Sequence, residues 1–410
     1  MEEGATAAAY LPDDLVVDIL ARLPAKSLCR FKCVSRRWRA LISDRCSSAQ
    51  TLSGFFFTSR GPAWRFTGLP SSSVTPPPGG AGGLPPVVDA ALSFLPPSCV
   101  EREIEMLDSC NGLLLLLCSD ECPCRPPPAF YVVCNPATGE WVALPQPKYT
   151  PGDQTWCWDF EGDRVITWYA AVGFDPAISS HFYVFQVVEA NYNTHHCLEA
   201  VEIYSSETGT WVLSKKGRDD GGFNFMYHMT YFNGSLHLTT DSDAVASVDA
   251  KGRPWRITHV LGRQGADDHR RYGRRGYIGH SRGRLLYLDD VRKDDVMSIY
   301  VLEDEDSGEW TLMRRVSKKD LLFEPWKHVL KPTYYKAGFH PNGDLIFFYD
   351  RTRARLISYD WSRGDWRVVC TLTDFEHAHR AFSPYVPWYS GGLASQQIAT
   401  RSSSHSPLEG

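Results

Sequence analysis

The feature that most constrains this chain is a short string that recurs five times. The copies are CNPATGEW, YSSETGTW, VDAKGRPW, EDEDSGEW and YDWSRGDW, ending at Trp141, Trp211, Trp255, Trp310 and Trp366. Each has a polar residue six positions before the tryptophan: Asn135, Ser205, Asp249, Asp304 and Asp360. Glycine stands two before it in four copies (Gly139, Gly209, Gly308, Gly364) and three before it in the third (Gly252). Glycine supplies the positive φ that a tight turn needs, and the tryptophan opens the return strand, so each copy predicts strand, turn, strand. A second string precedes most copies: NGLLLLL at Asn111, NGSLHL at Asn233, RGRLLYL at Arg282 and NGDLIFF at Asn342. It reads as a turn leading into a buried strand. The second copy has VGFDP at Val172 instead, echoed by AGFHP at Ala337.

Repeated four-stranded units stacked around an axis make a β-propeller, and the spacing from Trp141 to Trp366 accommodates four strands per unit with extended loops. Five blades are visible between 99 and 370. The stretch 51–98, together with the tail near 371–395, supplies another by closing the ring. The expectation is therefore six blades, with five or seven as the alternatives. An aromatic content of 13%, with 13 Trp and 27 Pro, fits many short strands and tight turns better than helical bundles. The five tryptophans are expected to be structural, as blade core.

The N-terminal stretch LPDDLVVDILARLPAKSLCRFKCVSRRWRALISD has a different period. Pro12 stands where a first helical turn accepts it, and Asp13 and Asp14 stand where the helix dipole favours acid. Leu15, Ile19, Leu20 and Leu23 form one stripe, which Pro24 ends. A second helix carries Leu28 and Phe31. A third starts with Ser35 as N-cap and brings Trp38, Leu41 and Ile42 together. Three helices in so few residues cannot bury all these side chains among themselves, and each one left exposed forgoes roughly 1.5–3 kcal/mol. Either a partner or the downstream domain must cover them.

The same string resembles an F-box along its whole length, with Leu11, Pro12, Asp13, Asp14, Ile19, Leu20, Leu23, Pro24, Leu28, Val34, Arg37 and Trp38 at the pattern positions. The resemblance implies that Leu11, Pro12, Leu15, Ile19, Leu20, Leu23, Pro24, Leu28 and Val34 meet the Skp adaptor, while Trp38 supports the module's own core. Cys29 departs from the larger aliphatic common in that family. Further on, SCNGLLLL, CNPATGEWVALP and VGFDP are similar to the F-box-associated domain of plant F-box proteins. The Tyr204/Trp211 and Tyr359/Trp366 spacings resemble kelch repeats, without the double glycine of kelch.

The expected architecture is thus mainly β, a small three-helix F-box followed by a propeller. Residues 1–9 form a disordered N-terminus, 10–47 the F-box, and 48–98 the first strands with a Pro/Gly-rich loop at 71–86. Residues 99–395 form the propeller and 396–410 a disordered tail. The implied function is substrate recognition in a Skp/cullin/F-box ubiquitin ligase, with the adaptor, and through it cullin, on one side and a target protein at a propeller face. The alternative is a scaffold that binds the adaptor outside a cullin ligase.

Other chemistry is weakly signalled. Cys110, Cys118, Cys122, Cys124 and Cys134 lack the paired C-x-x-C spacing of zinc sites, and Cys110 and Cys134 fall in predicted strands, so no metal or other cofactor is expected. His195, His196 and Cys197 read as loop. The common catalytic signatures are missing, in keeping with a non-enzymatic chain. HRRYGRRG at 269–276 and RTRAR at 351–355 are the densest basic patches, expected to be solvated loops, the first diluted by Asp267, Asp268, Asp289 and Asp290. A formal charge of -5 points to neither nucleic acid nor an anionic membrane. The N-terminus MEEGATAAAY has no signal-peptide pattern, and the apolar run Leu113–Cys118 is too short to span a bilayer. Reduced thiols and a cytoplasmic or nuclear location are expected.

Overall fold

A computed structural model describes residues 12–13, 15–16, 31, 34–41, 52–58, 64–69, 88–100, 103–119, 129–148, 156–158, 164–166, 169–192, 195–217, 225–241, 243–260, 276–290, 296–318, 334–372, 382–389 and 393. The chain folds as a six-bladed β-propeller behind an N-terminal helical module. In that module the described helix is α1 (Arg36–Leu41). Strands β1 (Gly54–Thr58) and β2 (Trp64–Gly68) begin the first blade, and a single turn, α2 (Pro97–Val100), leads out of it.

Blade 2 is β3 (Glu103–Cys110), β4 (Leu113–Ser119), β5 (Phe130–Asn135) and β6 (Glu140–Ala143). A two-stranded ribbon, β7 (Trp156–Trp158) with β8 (Arg164–Ile166), stands in the connection that follows. Blade 3 is β9 (Ala170–Phe174), β10 (Phe182–Tyr192), β11 (His195–Ser205) and β12 (Thr210–Lys215). Blade 4 is β13 (Phe225–Phe232), β14 (Ser235–Thr240), β15 (Ala244–Asp249) and β16 (Arg256–His259). Blade 5 is β17 (Tyr277–Ser281), β18 (Arg284–Asp289), β19 (Val296–Asp304) and β20 (Glu309–Ser317). Blade 6 is β21 (Tyr334–Phe339), β22 (Leu345–Asp350), β23 (Arg355–Asp360) and β24 (Asp365–Thr371). Each of these five is an antiparallel meander.

The last strand, β25 (Phe382–Tyr385), returns to blade 1 in the order β2-β1-β25, with Phe55 opposite Pro384 and Phe57 opposite Phe382. It lies against β21 on one side and β3 on the other, so that β25, β3, β9, β13, β17 and β21 form a closed inner ring. Closure removes the open sides that a row of stacked sheets would leave. The stretch 51–98 and the tail thus meet in one blade, as expected, and among the described residues that blade has three strands where the others have four.

The recurring turns follow from local chemistry. In every copy of the tryptophan string the polar residue folds the turn twice over. Its carbonyl accepts the glycine N–H: Gly139 to Asn135, Gly209 to Ser205, Gly252 to Asp249, Gly308 to Asp304 and Gly364 to Asp360. Its side chain accepts the N–H two residues on, as in Ala137 to Asn135, Lys251 to Asp249 and Ser362 to Asp360. The glycines all take positive φ, 69–79°. The strings at Asn111, Asn233 and Arg282 form two-residue turns with both central φ values positive, which match the strand twist. Asn342 does not. Its turn runs 340–344, because Pro341 has no N–H with which to pair against Asp344 in a two-residue turn, and the closing pair moves out to His340, whose N–H is bonded across to Leu345 O. This is the counterpart of the Asp175–Pro176 turn, which explains the VGFDP/AGFHP echo.

The core consists of six apolar seams between neighbouring blades. Here the expectation for the tryptophans needs correction. Only Trp255 is buried, and all five stand on outermost strands or just before them, packed into the seam with the preceding blade. Three indole N–H groups donate across it: Trp211 to Pro145 O (2.8 Å), Trp255 to Ser214 Oγ (2.9 Å) and Trp310 to Thr258 Oγ1 (3.0 Å). An amphipathic ring suits such a place, with its apolar body in the seam and its polar edge bonded at the rim.

Candidate functional site

The helical module presents two kinds of side chain. Val16 is 4% exposed and bonded helically to Pro12 O (3.1 Å), whereas its neighbour Leu15 is 51% exposed. Ser35 caps α1 as expected, its hydroxyl accepting Trp38 N–H at 3.1 Å, and Trp38 meets Phe31 edge-on at 5.5 Å. Arg37 clamps the third helix to the start of the first by donating to Asp13 Oδ1 through Nε (2.7 Å) and through Nη2. This clamp brings the acidic start and the basic third helix together. Val34, at the head of α1, is 60% exposed, and Pro12 is exposed beside the first helix. Leu11, Ile19, Leu20, Leu23, Pro24 and Leu28 lie outside the described residues, as does Cys29.

The propeller has two unlike ends. All the short turns at Asn111, Asn233 and Arg282, and all five tryptophan-string turns, fall at one end. The chain enters β1 from the helical module at that same end, where Ser53 N–H bonds Tyr385 O (2.9 Å) and Leu52 is buried. The chain's own exit covers part of it. Trp388 packs on Phe174 (ring centroids 4.7 Å apart), its carbonyl accepts Asn135 Nδ2 (2.8 Å), and Leu393 is buried in the seam of blades 2 and 3. The sequence reading placed this segment in the tail that closes the ring but did not single out Trp388, which belongs to no repeat.

The connection from β2 to β3 also leaves from the short-turn end, where Leu69 N–H bonds Ser53 O, whereas at the other end lie the connections that follow blades 2 to 6, including the β7–β8 ribbon. The β10–β11 pair also overruns its neighbours there. Its last flanking bonds are Val187 N–H to Tyr169 O and Lys216 N–H to Glu199 O, and beyond a bulge Glu189 to Tyr192 pair only with Leu198 to His195. His195, His196 and Cys197 are therefore strand, not the expected loop. The overrun of about four residues corresponds to roughly 13 Å.

Two charged groups also differ from expectation. RTRAR is a tight turn, not a solvated loop. Buried Asp350 accepts Thr352 N–H (3.0 Å) and Arg353 N–H (3.3 Å) and pairs with Arg355 Nε (3.0 Å) and Arg353 Nη1 (3.4 Å). Arg351 lies over the Tyr335 ring at 5.4 Å and Arg355 over Trp366 at 5.7 Å. Asp290 does not dilute a basic loop. It sits buried with Lys336 Nζ (2.6 Å), Lys318 Nζ (2.9 Å) and the Tyr334 hydroxyl (2.8 Å). Burial pushes its carboxyl up, but the two ammonium groups outweigh that and hold it down at about 2. In the 269–276 patch, Gly276 alone is described.

Cys110, Cys118 and Cys134 lie on β3, β4 and β5, none of them in a disulfide. Burial, and then Asp108, push Cys110 up to about 12, and burial raises Cys134 further, so neither is a ready thiolate. Cys122 and Cys124 lie outside the described residues. Among the described residues no three His, Cys, Asp or Glu side chains gather as a metal set. His237 is buried, bonded to Ser247 Oγ (2.8 Å) and lowered to about 4 by burial, as a structural histidine would be.

Comparison with known proteins agrees with these two parts. Residues 10–48 match the F-box domain, and residues 88–383 match the model described as F-box protein At3g26010-like, beta-propeller. F-box protein At5g07610 of Arabidopsis thaliana is 25% identical over 79% of this chain and 74% of its own length. F-box protein At5g49610 of the same plant is 26% identical over 75% of this chain and 79% of its own. F-box only protein 8, also from Arabidopsis thaliana, is 58% identical over 38 residues, which are 9% of this chain and 13% of that protein.

Proposed function

Because this chain belongs to the F-box protein family whose At3g26010-like β-propeller spans residues 88–383, we propose that it is the substrate-recognition subunit of a Skp/cullin/F-box ubiquitin ligase. Leu11, Pro12, Leu15, Ile19, Leu20, Leu23, Pro24, Leu28 and Val34 dock on the Skp adaptor, which brings cullin. The propeller holds a target protein. The observation that carries this is the pairing of a matched F-box with apolar side chains left in solvent, Leu15 and Val34, beside a covered Val16. Burying each against a partner is worth up to about 1.5–3 kcal/mol.

No covalent chemistry is needed on the chain itself. Holding a target near the recruited conjugating enzyme raises the effective concentration of its lysines, which is a positioning task. The long-connection end is the target end. The opposite end carries the short turns, receives the F-box linker and is partly covered by residues 386–389 and 393. The complex works in the cytoplasm, the nucleus or both. The spacing of Tyr204 and Trp211, whose rings lie 5.4 Å apart, supports a kelch-like reading of the blades.

The test is adaptor co-purification with Leu15→Ala combined with Ile19→Ala. The expected result is loss of the adaptor with an unchanged propeller melting curve. Retained adaptor binding would overturn the docking assignment. Cullin in the wild-type eluate separates a ligase from a scaffold that binds the adaptor alone.

A further inference from the structure

The outer seams repeat one arrangement, and the seam between blades 5 and 6 departs from it. In the two seams before it, the acceptor of the indole N–H stands three residues past the preceding blade's own tryptophan: Ser214 for Trp255 and Thr258 for Trp310. Each pairs with a residue whose side chain is in that same seam, Ser214 with Val201 and Thr258 with Val245. Thr258 also meets the next blade's turn, its Cγ2 lying 2.6 Å from the point where a Cβ on Gly308 would stand.

On β20 that place falls to Arg314. A register shift leaves Met313 out of the pairing with β19, so Arg314 comes opposite Ile299, whose side chain belongs to the seam with blade 6. Its Nη2 lies 3.8 Å from the point where a Cβ on Gly364 would stand, two residues before Trp366, as Thr258 lies at Gly308. A guanidinium has N–H donors and no acceptor, so it cannot receive an indole N–H as Ser214 and Thr258 do. Among the described residues neither Trp366 Nε1 nor the exposed Arg314 has a hydrogen-bond or ion-pair partner. The seam sets a donor where its neighbours set an acceptor.

Arg355 stands over the Trp366 ring with Cζ 5.7 Å from the centroid, but Asp350 holds its Nε at 3.0 Å, so the unpaired charge at this seam is that of Arg314. One negative charge carried on two oxygens, one for each donor, answers it, and a carboxylate is such a group. Val368, 47% exposed, lies on the same face of β24 as Trp366, since their partners Ile357 and Tyr359 both belong to the seam. It offers an apolar contact that a peptide segment can use and a free carboxylate ion cannot.

We propose that the seam of blades 5 and 6 binds an Asp or Glu side chain of a partner protein segment. The carboxylate accepts from Trp366 Nε1 and from Arg314, and an adjoining apolar side chain rests on Val368. The site lies on the flank of the ring, with Trp366 near the short-turn end, and does not rest on the ligase function proposed above.

The indole N–H resonances of the full-length chain, isotope-labelled on tryptophan nitrogen, report each ring separately, and Trp366→Phe identifies the relevant one. Titration with the blocked peptide acetyl-Ala-Glu-Leu-amide should move the Trp366 signal downfield with millimolar saturation, while Trp310, already bonded to Thr258, stays in place. The matching Gln peptide should bind roughly tenfold more weakly or worse. A phosphoserine peptide, with a second negative charge that the site does not answer, should bind no more tightly than the Glu peptide.

Arg314→Gln should weaken the Glu peptide by a similar factor. Arg314→Thr restores the acceptor that Thr258 supplies one seam earlier, so it should move the Trp366 signal without any peptide and abolish the titration. The peptide comparison uses the wild-type chain and stands even where a variant fails to fold. A stationary Trp366 signal, an equal response to the Gln peptide, tighter binding of the phosphoserine peptide, or an undiminished response in folded Arg314→Gln would each overturn the proposal.

Discussion

Replacing Asp290 by Asn probes the strongest buried electrostatic cluster described in the propeller. The carboxylate receives Lys336, Lys318 and Tyr334, and the side chains of the three charged residues are only 7–10% exposed. Asparagine preserves the volume but leaves two nearly buried ammonium groups without their shared anion. Breaking a buried pair in this way costs about 3–5 kcal/mol. Linkage gives a compatible figure: a carboxyl moved from ~3.9 in the unfolded chain to about 2 in the fold contributes about 2–3 kcal/mol at neutral pH. The desolvated lysines account for the remainder.

Against a total stability of about 5–15 kcal/mol, the loss is large. Tryptophan fluorescence should report a melting midpoint lower by at least ~6 °C at neutral pH. The sign of the pH dependence follows from the depressed folded value. The contribution is present in full above the unfolded pKa and is lost as the pH falls from ~4 toward ~2, so the gap between wild type and variant should narrow in that window. A variant that melts within about 2 °C of wild type at pH 7, or a gap as wide at pH 3 as at pH 7, would refute the reasoning.

Two further outcomes follow from the closure of the ring. Gly112 has φ +94°, and an added Cβ would overlap Trp388 at its Cβ and backbone nitrogen, so Gly112→Ala should release residues 386–393 and expose a protease-sensitive site there, read by limited proteolysis and mass spectrometry. Truncation after Leu372 removes β25 and leaves β1, β3 and β21 without their shared neighbour; the product should aggregate or bind a hydrophobic dye, whereas removal of 396–410 should leave the melting midpoint unchanged.

What the sequence determined by itself is what short-range chemistry fixes. Polar residues and glycines at set offsets fold turns and caps with their own atoms, which is why the five tryptophan strings, the Asn111, Asn233 and Arg282 turns and the Ser35 cap were legible, while the sixth blade, which carries no such string, followed from the two remaining stretches closing the ring. Pro341 shows the same logic in the negative: the Asn342–Gly343 string had the right residues, and one proline nearby changed the turn. Tertiary structure decided whatever depends on partners far along the chain. The tryptophans read as blade core because they begin a strand. Their true place, the seam with the preceding blade, depends on Pro145, Ser214 and Thr258, which no repeat marks. Asp290 looked like a surface charge until Lys318, just past β20, and Lys336 of β21 came to it, and the Tyr277 ring meets His228 and Phe339 only because three blades bring them together. A β-sheet ring converges residues with no fixed spacing, so their meeting point is a property of closure, not of any segment.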